Sequence, residues 1–141
     1  MEKHEIEEKI KEGWIKTWFA IEVMATSKEI AEKSLKEHVE KLSKMKDIIV
    51  IGKDFKDVQK VENPPKNVKE AYSQVVEVTL LARDLLALIV AIVLYAPSAV
   101  EILEPVEKKI KIDEMQNIAN FIASLIHQFA SAGIGGIVIR A

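Results

Sequence analysis

YSQVVEVTLLARDLLALIVAIVLYAP, from Tyr72 to Pro97, decides the fold. No Gly or Pro interrupts Pro65 to Pro97, so one helix of about thirty residues is one reading. The alternation in VVEVTL favours another: a strand from Tyr72 to Leu81, a joint at Ala82-Arg83-Asp84, then a helix to about Tyr95. Asp84 can cap that helix and Pro97 stops it. SAVEILE, Ser98 to Glu104, follows as a further strand.

Working back from Tyr72, the mixed-charge stretch GKDFKDVQKVENPPKN reads as an extended arm or long hairpin tip, punctuated by Pro64 and Pro65. Ile48 to Ile51 before it is a short strand. From Thr26 to about Lys46 the chain predicts a helix: Thr26 and Ser27 offer caps, Glu29 and Glu32 suit its N-terminal dipole, and Ile30, Leu35, Val39 and Leu42 supply a buried stripe. WIKTWFAIEVMA, Trp14 to Ala25, is a strand rich in β-branched and aromatic residues. Glu2 to Glu12 form a short amphipathic helix with Ile6 and Ile10 on one side, ended by Gly13. Beyond Pro105 a last helix runs from about Asp113 to Ala132, closed by Gly133, and the tail IGGIVIR can add a strand.

The expected order is therefore β-α-β-β-α-β, a ferredoxin-like antiparallel sheet in strand order 4-1-3-2 with both crossover helices on one face. One α/β domain is expected over 1–141: an N-terminal helix (1–13), the core (14–105), and a C-terminal helix and tail (106–141). LLALIVAIVLYAPSAVEILEP resembles the closing unit of ferredoxin-like regulatory modules such as ACT-type domains, and also segments of small uncharacterised archaeal proteins of this class. ACT-type domains commonly hold an amino acid at a glycine-rich turn after the first strand. Here that turn reads ATSKE, so no ligand-binding residue carries over.

Composition narrows the function classes. The net charge of -2 with interleaved signs offers no footprint for a nucleic acid or an anionic membrane. With no cysteine, disulfides, thiolate zinc sites, iron–sulfur clusters and a Cys nucleophile are excluded. The longest uncharged run, Leu85 to Val100, is broken by Pro97 and is shorter than the about twenty residues a span needs. The charged N-terminus lacks a secretory signal, which places the protein in the cytoplasm. Abundant Lys, Glu and Ile with few Asn or Gln would suit a hyperthermophile.

Strand parity singles out one surface. With Phe19, Ile21 and Val23 facing the helices, Trp14, Trp18, Glu22 and Met24 face the opposite, open side. Val76, Val78, Leu80, Val100 and Ile102 point inward by the same rule. Glu77, Thr79, Glu101 and Leu103 point outward. Burying only ~150 Å² across the two tryptophans is worth about 4 kcal/mol at ~25 cal/mol per Å², so a cover is expected: the last helix, another subunit, or both. From Met115 to Ser131 that helix carries no charged residue apart from titratable His127. Ile118, Phe121, Ile122, Leu125 and Phe129 form an apolar stripe on it, and Asn117, Asn120, Ser124, His127 and Ser131 a polar seam.

The candidate ligand-binding set is Trp18, Glu22, Glu77, Glu101, Asn117, Asn120 and His127. Glutamates gathered on one face need a cation between them, from Lys16, Arg140, an amine-bearing ligand or an oxygen-loving metal. The bland alternative is that the seam bonds to neighbouring backbone or to a symmetry mate. His4 and His38 read as solvated helix faces, the glycines after Ala132 as a helix stop, and the arm lysines as a solvated hairpin. The leading functional reading is a non-catalytic binding or regulatory module acting as a homo-oligomer, with a small-molecule ligand, no cofactor and no membrane. The alternative is a small enzyme, or a metal- or ligand-binding protein, using the glutamates and His127. A nucleic-acid accessory role through the lysine arm ranks last.

Overall fold

The computed structural model describes residues 1–133. The expected strand of the tail and Arg140 lie outside the described residues. Two compact units are present, one spanning Met1–Lys108 and the other beginning at Lys109. Along the chain run α1 (Lys3–Lys11), β1 (Ile15–Ala25), α2 (Lys28–Ser43), β2 (Ile48–Phe55), β3 (Gln59–Lys60), β4 (Tyr72–Ala82), α3 (Leu85–Tyr95), β5 (Ala99–Glu104) and α4 (Ile112–Ser131).

Tyr72 to Tyr95 is strand and then helix, which removes the single long helix. Asp84 is the reason for the break: its extended backbone ends the strand segment, and its carboxylate accepts from the Ala87 N–H at 2.8 Å. Nothing after Leu85 carries charge until Glu101, so helix is fixed by the cap and by burial. The helix stops at Ala96, which adopts the left-handed conformation (φ 46°) and donates its N–H to the Ile92 carbonyl before Pro97.

The five strands form one antiparallel sheet in the order β2-β4-β1-β5, with two-residue β3 pairing to β4. Alternation does the work in β1 and β4. Ile15, Thr17, Phe19 and Ile21 are buried between less buried neighbours, as are Gln74, Val76 and Val78, while Leu80 to Ala82 are buried without alternation. Both helices pack on that inner face, α2 over β1, β2 and β4, and α3 over β1 and β4. Leu35, Val39, Leu42 and Leu88 close the core against Phe19, Ile21, Val76 and Leu80.

The structure corrects three expectations. Ile30 is exposed and Ala31 takes its place in the buried stripe of α2. Ser27 accepts from the Ile30 N–H at 3.2 Å, and that cap sets the helical phase that turns Ala31 inward. β2 continues to Phe55 rather than stopping at Ile51, because β4 offers it a long partner and a bulge between Val50 and Gly52 absorbs the misfit. Val100 and Ile102 do share the parity of the inner face, opposite Phe19 and Thr17, yet they are 40% and 55% exposed. Neither helix reaches across to β5, and every residue of that strand is exposed.

α1 ends at Gly13, whose φ of 109° only glycine adopts without strain. Lys9 lies over the Trp14 ring, 4.9 Å from its centroid, which shields one of the two tryptophans. α4 starts with Asp113 and Glu114 in its first turn, where the helix dipole favours them, and none of its residues is buried. No helix among the described residues is long and apolar enough to cross a membrane.

Candidate functional site

Strand register determines which outward-facing side chains meet. Glu77 on β4 stands opposite Ala20 of β1 on one side and Asp54 of β2 on the other. Glu22 stands opposite Val75, one step along the same face. Glu22 and Glu77 are therefore diagonal neighbours, a relationship that places Cα atoms about 7–8 Å apart. Glu101 stands opposite Trp18, and Trp18 opposite Thr79. The three glutamates thus share a face, as parity predicts, but occupy three successive rows. Glu101 is set apart from Glu77 by the whole width of β1, with Trp18 and Ala20 between them.

The cation that meets this face is Lys56. Its ammonium lies 2.6 Å from Asp54 Oδ2 and 3.0 Å from Glu77 Oε2. The hydrogen bond to Asp54, and then that to Glu77, hold the Lys56 pKa above its ordinary 10.5. Such an amine stays protonated, so it acts as a fixed positive charge and not as a base or nucleophile. Lys16, a second cation on this side, lies 3.9 Å from Glu104. Sequence pattern hid Lys56 because it falls in the mixed-charge arm. The signal that could have found it is the continuation of β2, which carries Asp54 to a place beside Glu77.

Asn117, Asn120, Ser124 and His127 are all exposed on α4. Within that helix Gln116 donates from Nε2 to Asn120 Oδ1 at 3.2 Å. These residues belong to the second compact unit, and the glutamates and Trp18 to the first. Among the described residues, no three His, Asp or Glu side chains converge in a way that could hold a metal ion.

Among the described residues, clefts open on the first unit. One, of about 390 Å³, is lined by Met1, Lys3, Ile6 and Glu7 together with Lys16 and Glu104. It brings α1 beside Lys16 and Glu104 at one end of the β1–β5 ladder. Another, of about 280 Å³, lies between Glu32 and Lys36 of α2, Phe55 of β2 and Gln74 of β4. Gln74 donates from Nε2 to the Lys56 carbonyl at 2.9 Å, and its buried Oε1 has no partner among the described residues. This cleft was not visible in the sequence, since it requires β2 to extend past Ile51.

His38 is not a solvated face residue: it is half-buried and in contact with Tyr95 of α3. Arg83 pairs with Asp47, at 3.3 Å, which leaves Asp84 to its capping role.

Comparison with curated proteins and with solved structures gives no match. The MJ0538 family pattern does match, over residues 16–138, and agrees with the resemblance to small uncharacterised archaeal proteins. That span takes in the sheet, both crossover helices and α4, and on this ground the chain belongs to the MJ0538 family.

Proposed function

We propose that this protein is a non-catalytic binding or regulatory module of ferredoxin-like fold that works as a homo-oligomer in the cytoplasm. The observation that carries the reading is α3. None of its eleven residues is charged, yet only Ala87, Leu88 and Ala91 are buried. A helix that is apolar all round is stable when covered all round, and the described residues of one copy cover one side of it. The ferredoxin-like assignment is supported by the order β2-β4-β1-β5: with short β3 set aside, the long strands follow the 4-1-3-2 pattern.

The open face is the surface that suits a small ligand. It offers an amphipathic floor of Trp18, Ala20, Val75 and Thr79, bordered by Glu22 and by the Asp54–Lys56–Glu77 ion group. Charges of both signs beside an aromatic ring match a small polar molecule with an apolar part.

Sedimentation velocity with the full chain, joined to a thermal-shift screen of amino acids, nucleotides and divalent ions, tests both halves of the proposal. An oligomer, together with a melting temperature raised by one ligand class and unchanged in a Glu22→Gln, Glu77→Gln variant, is the expected result. A strict monomer that responds to no ligand would overturn it.

A further inference from the structure

We infer that the cleft between α2 and the end of β2 binds a small zwitterion, with an ammonium and a carboxylate at the two ends of a short apolar chain. Phe55 stands opposite Val76, and Gln74 is the next inner-face residue along β4. α2 packs on that same side and brings Glu32 and Lys36 to the cleft. The site therefore lies on the helix side of the sheet and is distinct from the open face. Gln74 points to a ligand. It shares the buried parity of Val76 and Val78, yet it carries an amide and is 8% exposed. Its Nε2 is spent on the Lys56 carbonyl at 2.9 Å, which leaves Oε1 as a buried acceptor without a partner among the described residues. An apolar side chain at this position would carry no such cost, and a donor entering the cleft removes it. Oε1 is closed to solvent, so in the complex the donor reaches it by displacing the Phe55 ring, the apolar wall of the cleft at the last position of β2.

The remaining walls set the charge of the ligand. Glu32 and Lys36 are one helical turn apart on α2, and neither has an ion-pair partner among the described residues. Side chains at that spacing have Cβ atoms about 5–6 Å apart. A cation and an anion joined by a short chain answer both. The ammonium donates to the Glu32 carboxylate and to Gln74 Oε1, the carboxylate meets Lys36, and the chain lies along Phe55. A simple amine would bring like charge to Lys36, and a carboxylate or phosphate alone would do the same to Glu32. Size agrees: about 280 Å³ falls just below the ~300–1,000 Å³ of pockets that take drug-sized ligands.

The test is an NMR titration of the full chain with δ-aminovalerate, following the Gln74 side-chain amide and the Phe55 ring. Pentylamine and valerate carry one charge each, and δ-trimethylammoniovalerate keeps both charges but has no N–H to donate. δ-Aminovalerate should shift both signals saturably, and each of the three analogues should bind at least about tenfold more weakly. Gln74→Leu and Lys36→Gln should each weaken binding by a similar factor, while Glu40→Gln, elsewhere on α2, should leave it unchanged. Circular dichroism checks each fold, and exposed Lys36 keeps the test decisive should Gln74→Leu misfold. Undiminished binding of the trimethylated analogue, or by Gln74→Leu or Lys36→Gln, overturns the proposal. So does the absence of a saturable shift. Shifts confined to Trp18 and Thr79 overturn this site and leave the open-face reading standing.

Discussion

His38 of α2 donates from Nε2 to the carbonyl oxygen of Tyr95 at 2.9 Å, while its ring meets the Tyr95 ring edge-on with centroids 5.1 Å apart. Tyr95 is the last residue of α3, so its carbonyl is one of those a helix leaves without an internal partner. One imidazole both satisfies that group and fastens the two crossover helices to each other. His38→Ala should cost about 1–3 kcal/mol, from the hydrogen bond and the aromatic contact together, read as a lower urea midpoint with an unchanged slope. An unaltered midpoint would show that α3 is held by its apolar face alone.

Thr17 is fully buried in β1, and its hydroxyl has no hydrogen-bond partner among the described residues. Valine has the same shape without the polar atom. Thr17→Val is expected to raise stability by about 1 kcal/mol, since a buried unpaired polar group costs about 1–3 kcal/mol. A loss of stability on chemical denaturation would contradict the assignment.

Ala96 holds a left-handed backbone at the end of α3. That conformation disfavours any side chain by roughly 1–2 kcal/mol, and glycine escapes the penalty. Ala96→Gly should therefore raise the melting temperature and Ala96→Val lower it. Equal melting of the three proteins would argue against this backbone geometry.

Lys56 titrates above its ordinary 10.5, chiefly through Asp54 and then Glu77. For a cation whose folded pKa is raised, the linked stabilisation is complete below 10.5 and is lost as pH climbs through the folded value. Following the Lys56 side chain by NMR should give a midpoint above 10.5 in the wild type. Asp54→Asn should lower it more than Glu77→Gln does. A midpoint that neither substitution moves would remove the ion group from the open face.

Much of this fold can be read from local chemistry. Ser27 and Asp84 each satisfy an N–H three residues ahead, so both helix starts follow from the sequence alone. The alternation of β1 and β4 gives their buried faces because parity needs no knowledge of the partner strand. What stayed hidden depends on partners far away in the chain. Ile30 and Ala31 differ by one residue, and hydrophobicity chose the larger side chain where the cap chose the phase. The length of β2, the Lys56 bridge and the His38 contact all require register or helix–helix placement, which periodicity does not encode. The same limit governs the candidate site. Glu22, Glu77 and Glu101 were legible as one face, but only the pairing of β1 with β4 and β5 shows them in separate rows.

Lys108 donates from its ammonium to the Gly13 carbonyl at 2.7 Å, a clasp that joins the start of β1 to the segment leaving β5. Because β1 and β5 run antiparallel, Lys16 and Glu104 sit at the same end of their shared ladder. Tension applied at residues 13 and 108 would meet the lysine clasp first and then peel the strands apart one rung at a time. Hydrogen bonds lie across the strands in such a pair, so peeling loads them singly where shear would load them together. A pull at residues 13 and 108 is thus resisted first by one lysine and then by single rungs of the β1–β5 ladder.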